Sequence, residues 1–326
     1  MPGWAFGVIF LNFIIFLPAL LWVGYTLNSL QLTLAMIEDP NPPAYEALSA
    51  DDADPEGAAA TAAPEAPKPI TSSIRATSRL LRSVGGWRSH FRGFWCLFTL
   101  GLLTFWADSF FTAFTFKSVG SLLASLALVQ FSTAWVIIIT SQPSPKSFWR
   151  RLPPLKKTFE ATCFPTLIYW LTHSFPTIFL LQIARLLKLP IWQPSSPGDL
   201  PRYDGHAAWK GLIVLVVSIA FTVFFAIPSQ VVLRRVQASL IPPEEDAIVP
   251  FDRSFDGKVE PAIVGGKGYV TMKDAWVTFP RASWIRVYKL YFKIFLVTFA
   301  VQTLFFATFL ITVTIGAANS PPQGSN

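Results

Sequence analysis

Apolar residues in this chain do not recur at the spacing of a soluble core. They fall in long runs, and six runs approach the roughly 20 residues that a helix needs to cross a bilayer. The pattern predicts span one over residues 4–27, span two over 94–116, span three over 118–140, span four over 162–184, span five over 211–233 and span six over 294–315. Only a tight turn at Lys117 and Ser118 separates spans two and three. The expected fold is all-α: a polytopic membrane helix bundle of about six transmembrane helices.

Between spans the pattern changes twice. Residues 39–71 are rich in proline, alanine and acids and have little to bury, so they read as a disordered linker. Residues 72–93 read as a short basic amphipathic segment, with Arg75, Arg79 and Arg82 on one face and Ile74, Leu81 and Val84 on another. That pattern suits a helix on a membrane surface, and equally a solvated juxtamembrane helix. The bundle itself is expected over residues 94–316, with an inner loop at 234–288 and a short polar tail at 317–326.

Composition supports the membrane reading. The chain has 326 residues, of which 52% are hydrophobic and 14% charged; a soluble domain carries about 25% charged residues. No polar stretch is long enough for a second, soluble domain. The net charge is +7, and its placement points to topology and lipid headgroups, not to nucleic acid. Six Lys and Arg follow span one, five follow span three and ten follow span five, twenty-one of the 26. The positive-inside rule therefore puts these three loops on one inner side and both termini on the outer side. Arg150, Arg151, Arg234 and Arg235 flank the spans as candidate membrane-surface bases, like Arg75, Arg79 and Arg82. Span one has no basic residue before it and reads as a retained anchor, not as a cleaved signal.

Candidate chemistry is sparse. Cys96 and Cys163 lie inside predicted spans, which argues against a disulfide or a zinc site. The 3 histidines have no ligand partner at helical spacing. Gly265-Gly266-Lys267-Gly268 lacks the phosphate-loop spacing and reads as a turn. No Ser-His-Asp, paired-carboxylate or HExxH arrangement occurs, so neither an enzyme nor a cofactor is expected. Asp108, Gln130 and His173 are polar groups within spans, where ionisable residues face a bundle interior or water. With Pro228 they form a candidate path for a small solute or proton; the alternative is that Asp108 sits hydrated among outer headgroups. Pro165, Pro176 and Pro228 interrupt spans four and five, as helix breaks do beside transporter sites and also in inert bundles. Asn12 and Gln302 read as interhelical hydrogen-bonding groups. In the linker, Pro42-Pro43-Ala44-Tyr45 is a PPxY sequence of the kind that WW domains bind, including those of HECT-type ubiquitin ligases. Chance occurrence in a proline-rich stretch is the competing reading.

Each even span is approached by tryptophan and base: Gly86-Trp87-Arg88, Trp149-Arg150-Arg151, and Trp284 with Arg286, Tyr288 and Lys289. Interface anchoring accounts for this, and so would three loosely repeated hairpins. Pro228-Ser229-Gln230 through Leu233-Arg234-Arg235 and Gln237 resembles the motif that follows odd helices in the mitochondrial carrier family. Gly86 to Gly93 and Trp284 to Lys289 are similar to that family's second motif. The resemblance implies six spans, outward termini and either small-solute transport or the membrane-organising role of degenerate relatives, in a mitochondrial or other intracellular membrane. Gln230 stands where the motif has an acid and Leu233 where it has a lysine, so the family's ion-pair gate is not implied. The stretch from Arg235 to Lys258 also resembles a group of uncharacterised fungal multi-pass membrane proteins, some labelled as ubiquitin carriers. Conjugation would need an exposed nucleophilic cysteine, and both cysteines are expected in lipid. Two functions remain from the sequence: a carrier-like transporter or membrane organiser with the lipid bilayer and a small solute as partners, or a membrane adaptor that recruits a WW-domain ligase.

Overall fold

The computed structural model describes residues 3–39, 69–190, 205–260 and 265–319. Pro42, Pro43 and Tyr45 lie outside them. The described residues are helical and form no sheet beyond a single bridge, at which Gln142 N–H donates to Asp246 O at 2.7 Å. Five helical stretches are long and apolar enough to cross a membrane, and a bent helix pair supplies a sixth crossing if it counts as one span. All six predicted spans are therefore helical. The chain divides into two compact units.

The first unit comprises residues 1–94, 247–252 and 279–326. Its first helix begins as α1 (Gly3–Leu21), passes through a π-helical segment (Trp22–Gln31) and ends as α2 (Leu32–Ile37). Two side chains follow the π register. Asn28 Nδ2 donates to Val23 O at 2.9 Å and Ser29 Oγ to Gly24 O at 3.3 Å, so both address a carbonyl five residues back. Helix α3 (Ile74–Gly85) buries Thr77 and Leu81 and exposes Arg75, Arg79 and Arg82. The last helix, α11 (Arg281–Ala318), packs along α1. Phe305 meets Phe13 and Phe16 edge-on at 5.1 and 5.6 Å, and Asn12 Nδ2 donates to Thr308 Oγ1 at 2.6 Å. A Cβ on Gly316 would lie 2.9 Å from Ala5 Cβ, so small residues set this close approach.

The second unit comprises residues 95–246 and 253–278. Helices α4 (Phe94–Phe114) and α5 (Lys117–Ala127) form a tight hairpin, in which a Cβ on Gly120 would fall 2.7 Å from the Thr112 backbone nitrogen. Helix α6 (Val129–Thr140) follows α5 after a 52° bend at Leu128. Helix α7 (Leu155–Leu186) packs against α5, α6 and the next long helix, with Trp170 Nε1 donating to Ser121 Oγ at 2.8 Å. That next helix runs as α8 (Ala207–Phe221), a π turn (Thr222–Ala226) and α9 (Ile227–Ala238). Its π turn absorbs a proline. Ile227 N–H reaches back five residues to Thr222 O immediately before Pro228, which has no N–H to donate. A short helix, α10 (Met272–Val277), closes the unit.

Burial is inverted relative to a soluble protein. Helix α4 buries no side chain, and the most apolar window of the first helix is 11% buried. Such faces are solvated by acyl chains, which are as apolar as leucine. The packed core lies instead where helices approach the basic loops. Leu27, Leu30, Leu34, Met36 and Ile37 are fully buried in the first unit, and Val136, Ile137 and Val236 in the second. Four helices run past the predicted spans into this region: to Ile37 in place of 27, from Leu155 in place of 162, to Ala238 in place of 233 and from Arg281 in place of 294. Their sequence there mixes polar and apolar residues, so hydropathy stops short while protein packing continues the helix.

Candidate functional site: clasped helix ends and a basic cavity

Among the described residues, each unit holds a buried ion pair that ties a helix to a neighbouring segment. In the first, Glu38 caps α2 and faces Arg286 of α11, with Nη1 to Oε2 at 2.9 Å and side chains 1% and 6% exposed. The same carboxylate accepts Ile70 N–H at 2.7 Å, Thr71 N–H at 3.0 Å and the Thr71 hydroxyl at 2.5 Å. Arg286 Nη2 donates to Glu38 O at 2.7 Å and Ala35 O at 3.3 Å, closing orphan carbonyls at the α2 end. In the second unit, Arg151 forks onto Glu245 at 3.2 Å from Nε and 2.9 Å from Nη2, and its Nη2 donates to Ser141 Oγ at 2.5 Å. Both side chains are 7% exposed, and the two-pronged geometry is the strong form of this contact. Burial pushes the Glu245 carboxyl up, but hydrogen bonds from Arg151 and Ser141 and the charges of Arg151 and Lys146 outweigh it and hold the group below its ordinary value.

Beside the second clasp lies a cavity of about 550 Å³. The start of α7 and the segment before it form one wall and the loop after α9 the other, with Arg150, Arg151, Lys157 and Arg253 around it and no carboxylate among the described residues that line it. Glu245 neutralises Arg151. Arg253 donates to the carbonyls of Pro242 and Glu245, contacts that orient it without cancelling its charge. Leu240, Ile241 and Pro243 supply an apolar wall. Gly268 is in the lining, and a Cβ on Gly266, two residues before it, would sit 2.3 Å from Glu260 O, so the glycine-rich turn is a site of close backbone approach. Cations over an apolar wall on the basic side of a membrane protein suit an anionic phosphate.

No family model, curated protein or solved structure matches the chain. What it is therefore rests on its own geometry, and that geometry is of a multi-pass, all-helical membrane protein.

The other candidate residues are dispersed. Gln130 Nε2 donates to Pro153 O at 2.8 Å, which ties α6 to the start of α7. His173 is exposed on α7 and its Nδ1 lies 2.9 Å from Tyr169 O. Pro228 lines a separate apolar cavity of about 230 Å³. Asp108 is half-buried, and its Oδ1 has no hydrogen-bond partner, as does Thr112 Oγ1 one turn on. Of the candidate bases, Arg75, Arg79, Arg82 and Arg150 are exposed. Arg235 is 6% exposed, donates to Ala275 O at 3.0 Å and Thr278 Oγ1 at 3.0 Å, and so holds the end of α10. Arg234 lies 4.9 Å over the Trp135 ring. The two clasps escaped sequence reasoning. Glu38 and Glu245 each stand among neighbouring acids, Asp39 in one case and Glu244 and Asp246 in the other, so nothing in the sequence singles out the carboxylate that pairs.

Proposed function

We propose that this membrane protein organises the bilayer face that carries its basic loops, and does not pass a solute through itself. The observation that carries this reading is the pair of buried clasps, Glu38 with Arg286 and Arg151 with Glu245. An alternating gate must part its ion pairs in every cycle. Parting these would strand a buried charge, at about 3–5 kcal/mol for each, and would also break the backbone contacts of Arg286. The basic cavity supports the same reading, because it offers a phosphate headgroup three cations that no carboxylate among its described lining residues offsets.

The test is reconstitution in sealed vesicles. The protein should melt higher with anionic than with zwitterionic phospholipid, and should give no saturable uptake of small anionic solutes. Saturable uptake that Asp108→Asn or His173→Ala abolishes would sink this reading and establish a transport path.

The adaptor reading is favoured by one further observation. Asp39 N–H donates to Pro250 O at 2.9 Å, and Ile70 and Thr71 bind the Glu38 carboxylate, so both flanks of the linker are fixed at one clasp. Pro42 to Tyr45 begin only a few residues beyond that fixed point. A WW-domain protein should bind the full chain in vesicles and lose it with Tyr45→Ala; binding that survives this change rules the adaptor out.

A further inference from the structure

The cavity at Pro228 does not stand alone. Its walls are Pro165 and Ile168 of α7, Phe224 and Phe225 of the π turn, Pro228 of α9 and Trp276 of α10. A second cavity of about 490 Å³, lined by Phe164, Thr271, Met272, Lys273 and Trp276, shares Met272 and Trp276 with it. The two form a slot with chemically distinct ends. One end, set between two membrane-crossing helices, is mostly ring and aliphatic carbon, and the hydroxyl of Ser229 in its wall is already bonded to Ala226 O and Thr172 Oγ1. The other is bordered by Lys273, an exposed base at the start of α10. The neighbouring Asp274 is turned back onto Thr271, whose hydroxyl donates to it at 2.6 Å and whose Oγ1 accepts Asp274 N–H at 3.2 Å.

Two prolines line the slot, Pro165 inside the unbroken helix α7 and Pro228 just after the π turn. Pro165 and Pro228 stand on facing walls, and the π turn that absorbs Pro228 puts Phe224 and Phe225 at the surface, 70% and 54% exposed. Water has no partners in such a space, since apolar cavities stay dry. In a bilayer the available apolar occupant is an acyl chain. We propose that this slot holds one resident phospholipid, with its acyl chain between Pro165 and Pro228 and its anionic phosphate on Lys273. The inference does not depend on the membrane-organising reading: a transporter could carry the same lipid.

Trp276 lines both cavities and reports directly. The full chain is reconstituted in phosphatidylcholine vesicles containing a phosphatidylglycerol brominated on its acyl chain. Fluorescence of the Trp276→Phe variant is subtracted from that of the unaltered protein, leaving the Trp276 component. That component should saturate at a several-fold lower fraction of bromolipid than the remaining tryptophans do. Lys273→Glu should weaken it about fivefold or more, the factor one surface cation contributes toward an anionic lipid. It should leave quenching by brominated phosphatidylcholine unchanged. Ile168→Phe, which fills the slot, should return Trp276 to the curve of the bulk lipid. If Trp276 follows that curve in the unaltered protein, no resident lipid exists. If it escapes quenching and cysteines placed at Phe164 cross-link two chains, a second copy covers the slot and the proposal fails.

Discussion

At the scale of single residues, the clasps make the sharpest claims. Arg286→Ala leaves the Glu38 carboxylate buried among groups arranged for an ion pair, which should cost about 3–5 kcal/mol. Glu38→Gln together with Arg286→Met strands no charge and should cost much less than the two single changes added. Thermal unfolding in detergent, read by tryptophan fluorescence, separates these outcomes; additive losses would mean that the pair is not coupled. Glu245 adds a pH dependence of known sign. Its folded pKa lies below the ordinary 4.5, so its contribution is complete above that value and is lost as pH falls through the lowered one. The unaltered protein should therefore lose melting temperature on acidification below 4.5. Glu245→Gln should start lower at neutral pH and fall less. Neither pair was legible in the sequence, because the partners stand 248 and 94 residues apart and only the fold brings them together.

At the scale of helices, legibility divides at the membrane surface. The spans were readable because each helix that faces lipid must be apolar along its whole crossing, and hydropathy measures that requirement directly. The inner extensions were not readable. Residues 28–37 and 281–293 are helical because Leu30, Leu34, Val287 and Leu290 bury one face against protein, and that face does not exist until the chain has folded. The π turns were half-legible: Pro228 announced a break, but not that a shifted register would absorb it. The α4–α5 hairpin yields a prediction at this scale. Gly120 lies against the Thr112 hydroxyl and also against the Thr112 backbone, at 2.7 Å from its nitrogen, so turning the side chain away would not make room for an added group. Gly120→Val should part the hairpin and lower stability by about 1–3 kcal/mol, as overpacking does. Gly101, with nothing near its missing Cβ, is the matched control. An equal loss at both positions would point to helix propensity instead of contact.

At the scale of the whole molecule, the number of crossings decides the sidedness of every loop, and the bent pair α5–α6 is where it turns. Helices of 11 and 12 residues joined at 52° reach about 31 Å end to end at 1.5 Å per residue, close to the ~30 Å hydrocarbon core. Length therefore permits one bent crossing. Charge demands it. Were the pair a re-entrant loop, spans four and five would run in the opposite sense. The bases after α6 and after α9 would then lie across the membrane from those before α4, against the positive-inside rule. A single bent crossing gathers all three basic loops on one side and leaves the sparse turn at Lys117 on the other. Single cysteines at Ser72, Ser118, Ser144 and Ser254, on a background with Cys96 and Cys163 replaced by alanine, test this with a membrane-impermeant maleimide on sealed, oriented vesicles. Ser72, Ser144 and Ser254 should react from one face and Ser118 from the other. Reaction of Ser118 and Ser144 from the same face would make the pair re-entrant and leave five crossings. It would also set Glu38, before α4, and Arg286, after α9, on opposite faces, which their 2.9 Å contact forbids, so that outcome would overturn the clasp and with it the membrane-organising reading.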